Sequence, residues 1–315
     1  MLRSKISNLL LPNVVLPVVD RFSGNKAWSY LQEFLEADFE DPAVRQRRQW
    51  RKMKRLLEHA YRNTIYYRQL MDSAGLPPDK INTPGDLRRL PVTTKQDLRK
   101  AFPDNLLASN VNLDLVRISN TSGTSGRPMM LAQDSDDINR KYASKIRTRH
   151  MMGCEIGDRV LRLAPNECQP CLSDGTSPDV TLTELIKMKL ENHPDFNQAS
   201  FIYMERGLIN RFVHQRTFPP PLDPNFLETG LERYLLLLKK TKPEVLAGHP
   251  MYLYLLARMV ERRREKIHGI KAIDCTGDLS TAALRTYFSE QFNAPVFQIY
   301  GGCEWGRLSG SCRES

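Results

Sequence analysis

Residues 244–304 read EVLAGHPMYLYLLARMVERRREKIHGIKAIDCTGDLSTAALRTYFSEQFNAPVFQIYGGCE, and the order of apolar runs within them sets the fold. Glu244–Ala247 reads as a strand, Tyr252–Glu265 as a helix, Ile270–Cys275 as a strand, Ala282–Phe292 as a helix and Pro295–Tyr300 as a strand. This alternation predicts an α/β fold, a largely parallel sheet covered by helices. Right-handed crossovers bring the turns after successive strands to one edge of such a sheet, where ligands bind. Gly248-His249, Thr276-Gly277-Asp278 and Gly301-Gly302-Cys303-Glu304 are therefore expected to line one crevice.

Toward the N-terminus the pattern changes to helices joined by turns. In Pro42–Asn63, Trp50, Met53, Leu57, Ala60 and Tyr61 recur at three- and four-residue steps, so this stretch reads as one amphipathic helix. Tyr66–Gly75 reads as a second, ended by glycine. Pro77-Pro78 and Pro84-Gly85 mark loops, with capped helical turns at Asp86-Leu87 and Thr93–Lys100. The expected organisation is a mainly helical lobe over 1–110 and an α/β region over 111–315. The middle, roughly Asn166–Pro224, is loop-rich and its elements stay unassigned. Ser309–Ser315 offers neither a capped helix nor a strand to finish a fold.

Length and composition bound the function. A chain of 315 residues, 41% hydrophobic and 26% charged, can bury a sizeable core and is neither disordered, collagen-like nor a coiled coil. The longest charge-free stretch, Ile6–Val19, contains Pro12 and Pro17 and falls short of the roughly 20 apolar residues of a membrane span. No small-x-small cleavage site follows it, so it reads as a docked arm rather than a signal peptide, with a loose membrane-surface contact left open. Six sparse cysteines suit a reducing, cytoplasmic setting. Lys and Arg number 46 against 36 Asp and Glu, a formal charge of +10 that favours anionic partners. The densest basic run, Arg45–Arg55, falls mostly on the polar face of the Pro42–Asn63 helix and reads as a solvated surface before a nucleic-acid or membrane site. Arg262, Arg263 and Arg264 close an apolar helix, where positive charge complements the helix dipole.

Chemistry concentrates in Ser119–Pro128, SNTSGTSGRP, after the strand-like Leu115–Ile118. Its hydroxyls and two glycines can turn many donors toward an anion, because glycine tolerates positive φ and blocks no approach. The segment suits a phosphate cradle, although no Gly-Lys-Ser/Thr follows as in the usual P-loop. Alone it also fits a flexible surface turn. Cys168-x-x-Cys171 is half of a zinc pattern with no second pair at zinc-finger spacing.

Thr121-Ser122-Gly123-Thr124-Ser125-Gly126-Arg127-Pro128 resembles the phosphate loop of AMP-forming adenylating enzymes, and Tyr300-Gly301-Gly302-Cys303-Glu304 resembles their Tyr-Gly-x-Thr-Glu motif. Within that superfamily the chain is most similar to the phenylacetate-CoA ligase family, especially its branch associated with capsular polysaccharide genes. Tyr66-Tyr67-Arg68, Asp86-Leu87 before Leu90-Pro91, Thr94–Leu98, Met152-Gly153 before Gly157-Asp158, and Thr276-Gly277-Asp278-Leu279 share that family's wording. The resemblance covers most of the chain from about Arg45 onward and implies that both regions form one large N-terminal domain of an adenylate-forming enzyme.

The resemblance implies a two-step reaction. A small carboxylic acid, aryl or acyl, attacks the α-phosphate of ATP to give an acyl-adenylate, and coenzyme A or a carrier thiol then displaces AMP. By the same resemblance Thr121, Ser122, Gly123, Thr124, Ser125, Gly126 and Arg127 hold the β- and γ-phosphates. Glu304 binds Mg2+ through a hard carboxylate oxygen, and Glu304 and Arg127 are the catalytic residues. Thr276, Gly277 and Asp278 border the base, Tyr300 lies against it, and Gly301, Gly302 and Cys303 complete the nucleotide site. Read without the resemblance, Tyr300 is a core aromatic, Glu304 an exposed strand-end acid and His249 a structural histidine. No nucleic acid and no transmembrane span are expected, and a homodimer is allowed for.

There are departures. Cys303 stands where the family has threonine, removing a hydroxyl donor and weakening the expectation of full adenylation; no general base is visible that would make it a nucleophile. Asp278 is a shorter acid than the usual glutamate. Cys312 matches a zinc-ligand cysteine of some relatives, without its usual partners. The family's ribose-binding aspartate, hinge and small C-terminal domain have no counterpart after Glu304, so a truncated chain that binds nucleotide and adenylates weakly is also expected. A catalytically impaired remnant or partner subunit, and a basic nucleic-acid or membrane-surface protein, are the alternatives.

Overall fold

The computed structural model describes residues 10–112, 116–120, 129–163, 182–191, 216–218 and 224–313. Among these the chain divides into two units, one of Leu35–Asp134 and one of Met1–Phe34 with Ser135–Ser315.

The second unit is built on a six-stranded sheet of β3 (Val160–Leu163), β4 (Arg216–Phe218), β5 (Val245–Gly248), β6 (Ala272–Thr276), β7 (Val296–Gly302) and β8 (Gly306–Gly310). Spatially it runs β4-β3-β5-β6-β7-β8, parallel from β4 to β7, with β8 antiparallel at the edge. The register places Val245 opposite Ala272, and Cys275 opposite Gln298. All of Val245–Gly248 is buried, and a strand covered on both faces reads as a continuous apolar run.

Period-two alternation sorts the side chains. Leu246, Ile273 and Cys275 point to one face and pack with Tyr234, Leu253, Leu256, Phe288 and Phe292. These come from α8 (Pro224–Thr241), α9 (Pro250–Arg262) and α10 (Ala282–Phe292). Val245, Ala247, Ala272, Phe297 and Ile299 point to the other face, against Leu16, Ala27, Tyr142 and Met152. Full burial of a large apolar side chain such as Phe288 contributes about 1.5–3 kcal/mol.

Local signals set the helix ends. Pro250 opens α9 at a position whose N–H has no helical partner, and Leu253, Leu256, Ala257 and Val260 form its buried stripe. Thr281 caps α10 by accepting from the Leu284 N–H, and Asn293 closes it in the left-handed region. The other face is covered by α6 (Ser135–Met151) and by the N-terminal segment. From Leu10 onward the charge-free stretch is docked: a π-helical turn, Leu11–Val15, leads into α1 (Leu16–Ser23), and Leu16 is buried in the core. The next helix, α2 (Ala27–Asp38), places Tyr30 where its hydroxyl donates to Asp136 and the Arg140 guanidinium lies 3.8 Å from its ring centre.

Two expectations need correcting or completing. Ser309 and Gly310 end the strand β8 (Gly306–Gly310), and the Ser311 N–H continues to donate to the Gln298 carbonyl, whereas residues 311–313 form no helix or strand. This edge strand is specified by its partner β7 rather than by its own polar, glycine-flanked sequence. Within the unassigned middle lie α7 (Leu182–Leu190) and β4; Cys168 and Cys171 lie outside the described residues.

The first unit contains α3 (Pro42–Asn63), α4 (Ile65–Ser73) and α5 (Lys95–Ala101). Asp41 caps α3 by accepting from the Ala43 and Val44 N–H groups. Its small core is Leu57, Met71, Leu76 and Ile81, flanked by Trp50, Met53 and Tyr67. Reciprocal capping boxes form at Thr83/Asp86 and Thr94/Asp97. In the basic run, Arg47, Arg51 and Arg55 are exposed, while Lys54 turns inward to the Pro78 and Ile81 carbonyls. An antiparallel pair, β1 (Arg117–Asn120) and β2 (Met130–Gln133), completes it. Among the described residues no helix is long and apolar enough to cross a membrane.

Candidate functional site

The ends of β5, β6 and β7 deliver Gly248-His249, Thr276-Gly277-Asp278 and Tyr300–Glu304 to one edge of the sheet, as parallel crossovers require. Thr121, Ser122, Gly123, Thr124, Ser125, Gly126 and Arg127, with Pro128, expected from the sequence to hold phosphate, lie outside the described residues. The strands on either side of them are paired as far as Asn120 and Met130.

The loop after β6 is shaped by Gly277. Its φ of +102° is closed to side-chain-bearing residues, and a Cβ there would collide with the His249 ring. His249 therefore lies directly against the Gly277 backbone, its Nδ1 3.7 Å from the Asp278 carboxylate. Gln298, which the sequence did not single out, locks the same loop from β7. Its amide oxygen accepts from the Ser280 N–H at 3.1 Å and from the Ser280 hydroxyl, and its Nε2 donates to the Asp278 carbonyl at 3.1 Å. Arg285 also donates to the Ser280 carbonyl. Ser280 is fully buried, whereas the Asp278 side chain stays exposed.

Tyr300 is not a core aromatic: it is 64% exposed at the sheet edge, and its hydroxyl makes no hydrogen bond among the described residues. After it, β7 and β8 close through the turn Cys303-Glu304-Trp305, with Gly302 paired to Gly306. Gly306, at φ +73°, supplies the left-handed residue that a three-residue hairpin loop needs. The Glu304 carboxylate folds back over Gly302, its Oε2 2.8 Å from where a Cβ on Gly302 would stand. It is half-buried and has no hydrogen bond or ion pair among the described residues.

Helix α6 lies beside this hairpin. Lys141 Nζ donates to the Cys303 carbonyl at 2.9 Å and pairs with Asp137 at 2.6 Å. Ser144 donates to the Arg307 carbonyl at 2.6 Å. Arg307 donates to Thr148 and reaches across the sheet to Asp274 Oδ2 at 2.6 Å, where Arg149 also approaches to 3.4 Å. Asp274 is fully buried. Burial pushes its carboxyl up, but the charges and hydrogen bonds of Arg307 and Arg149 outweigh this and hold it below the usual carboxylate range. Burial pushes the neighbouring Cys275 thiol up to about 11, so it is no thiolate near neutral pH. Among the described residues no His, Cys, Asp and Glu cluster forms a ready-made metal cage.

A helix-covered, mainly parallel sheet of this kind is the α/β fold of solved CoA ligases. The chain superimposes on 2-hydroxyisobutyryl-CoA ligase in an open conformation with 2-HIB-AMP and CoA at a TM-score of 0.59. That match has 19% identity and covers 82% of this chain and 50% of the other. In sequence it is similar to the phenylacetate-coenzyme A ligase of Escherichia coli (strain K12), 41% identical over 90 residues, which are 29% of this chain and 20% of the relative. It is also similar to that of Pseudomonas putida, 34% identical over 118 residues, 38% of this chain and 26% of the relative. The chain thus matches about half of the solved ligase and a fifth to a quarter of these curated relatives. No family model matches.

Proposed function

We propose that this chain carries the nucleotide site of an ATP-dependent acid–CoA ligase that activates a small carboxylic acid, aryl or acyl, in the manner of phenylacetate-CoA ligases. The observation that carries the reading is Glu304, a half-buried carboxylate with no partner among the described residues, on a tight turn at the sheet edge that also bears Asp278 and Tyr300. A partly exposed carboxylate without a protein partner, held on a tight turn, is open to a hard divalent cation. The similarity to phenylacetate-coenzyme A ligases over part of the chain supports the assignment.

In this reading the acid's carboxylate oxygen bonds to the α-phosphorus of ATP and pyrophosphate leaves. The CoA sulfur then bonds to the acyl carbon, AMP leaves, and the thiol proton passes to solvent. Glu304 holds magnesium through a hard oxygen donor, and the ion, when bound, offsets phosphate charge. Thr121–Gly126 donate to the phosphates and Arg127 adds positive charge. Gly277 lets the base approach the backbone, Asp278 and Thr276 border it, and exposed Tyr300 offers its ring. Gly301, Gly302 and Cys303 shape the floor beneath. The sparse cysteines support a cytoplasmic setting, and the motif wording supports the branch associated with capsular polysaccharide genes.

Calorimetric titration of ATP with and without magnesium tests the reading. Magnesium is expected to tighten ATP binding to the wild-type chain, and Glu304→Ala is expected to abolish that gain with the melting temperature unchanged. Wild-type binding indifferent to magnesium would sink it.

A further inference from the structure

Helix α6 presents Lys141, Ser144 and Thr148, three and four residues apart, to β8 and the turn before it. Ser144 and Thr148 hold the strand, through the Arg307 carbonyl and guanidinium. Lys141 instead reaches the turn itself, at the carbonyl of Cys303. The peptide joining Cys303 to Glu304 is planar, so fixing that oxygen fixes the direction in which the chain enters Glu304.

The contact is built on both sides. Gly306 lies so close to the lysine stem that a Cβ there would stand 2.9 Å from Lys141 Cγ. Asp137, one helical turn back on α6, pairs with the ammonium at 2.6 Å and neutralises it locally. The lysine side chain is 16% exposed and its ammonium is shared between a carboxylate and a carbonyl. It therefore acts as a fixed donor to the backbone and not as a free cation competing for Glu304.

We propose that Lys141 is a positioning residue, which pins the Cys303 carbonyl and so presents the Glu304 carboxylate in the orientation that receives the magnesium of a bound Mg–ATP. This rests on the ATP reading above. Lys141→Met keeps the apolar stem against Gly306 and removes only the ammonium, and the Ser144 and Arg307 contacts keep β8 docked.

The test compares wild type, Lys141→Met and Lys141→Arg by hydrogen exchange of the 303–306 amides without ligand, and by ATP titration with and without magnesium. Loss of one hydrogen bond to a charged group predicts about tenfold faster exchange in 303–306 for Lys141→Met. The same variant is expected to lose about tenfold in ATP affinity with magnesium and nothing without it. Lys141→Arg, which retains a cationic donor, is expected to recover most of both.

Wild-type magnesium dependence that survives Lys141→Met overturns this proposal alone, whatever the exchange shows. A loss of affinity with exchange unchanged also overturns it, because Lys141 would then act on the ligand directly. A wild-type chain with no magnesium-dependent ATP binding overturns the ATP reading and this proposal together.

Discussion

The Thr276–Ser280 loop is held from beneath by the sheet, through Gln298 of β7 and the ring of His249 against Gly277. The Cys303–Trp305 turn is held from the side, by one lysine of a neighbouring helix. The first loop is anchored at the fully buried Ser280, which is bonded to Gln298 of the central sheet, so its shape is tied to the stability of that sheet. The second uses a contact that can be removed with little of the core disturbed. A site made this way has one preformed wall and one adjustable arm, and substitutions should separate accordingly. Those under the loop should cost folding free energy. Those at the turn, Glu304 and Lys141, should cost ligand affinity.

The largest effect is expected beneath both elements. Asp274→Asn leaves Arg149 and Arg307 almost buried without their shared counter-charge. Breaking a buried ion cluster from one side costs about 3–5 kcal/mol, measurable by urea unfolding. The pH dependence has a definite sign. Because the folded Asp274 carboxyl lies below the ordinary range, its contribution is fully present above the unfolded value of about 3.9 and lost as pH falls through the folded value. The stability difference between wild type and Asp274→Asn should therefore be flat above about pH 5 and shrink below about pH 4. A difference that grows with acid would break the assignment.

Gly277→Ala comes next. It combines a positive φ with the collision against His249, at about 2–4 kcal/mol in all. A drop in melting temperature accompanied by weaker ATP binding, with and without magnesium, would sharpen the contrast with Glu304→Ala, which should touch only the magnesium-dependent part.

How much of this was legible beforehand follows from where each signal resides. The β5-α9-β6-α10-β7 order could be read because doubly covered strands are apolar runs and the helices have local caps; Thr281 and Asn293 bound α10 at the predicted residues. Strand β8 could not, since Gly306–Gly310 lacks alternation and becomes a strand only by pairing with β7. The glycine at 277 and the acid at 304 were visible as motif residues. Gln298 and Lys141 were not, because their roles depend on tertiary apposition. Lys141 meets Cys303 across 162 positions of sequence, and nothing near Lys141 marks it apart from its i+4 partner on the same helix face.

Gln298 gives the smallest and most discriminating stability prediction. Gln298→Leu fills a similar volume but removes the acceptor of the buried Ser280 N–H and hydroxyl and the donor to the Asp278 carbonyl, while Arg285 still engages the Ser280 carbonyl. Leaving such buried groups unmatched costs about 1–3 kcal/mol. If the loop is preformed by the sheet, this loss should appear as faster amide exchange confined to 276–281, with exchange in 303–306 unaltered. Faster exchange in both segments would mean that the loop and the turn form one cooperative unit, and the distinction between a fixed wall and an adjustable arm would fall.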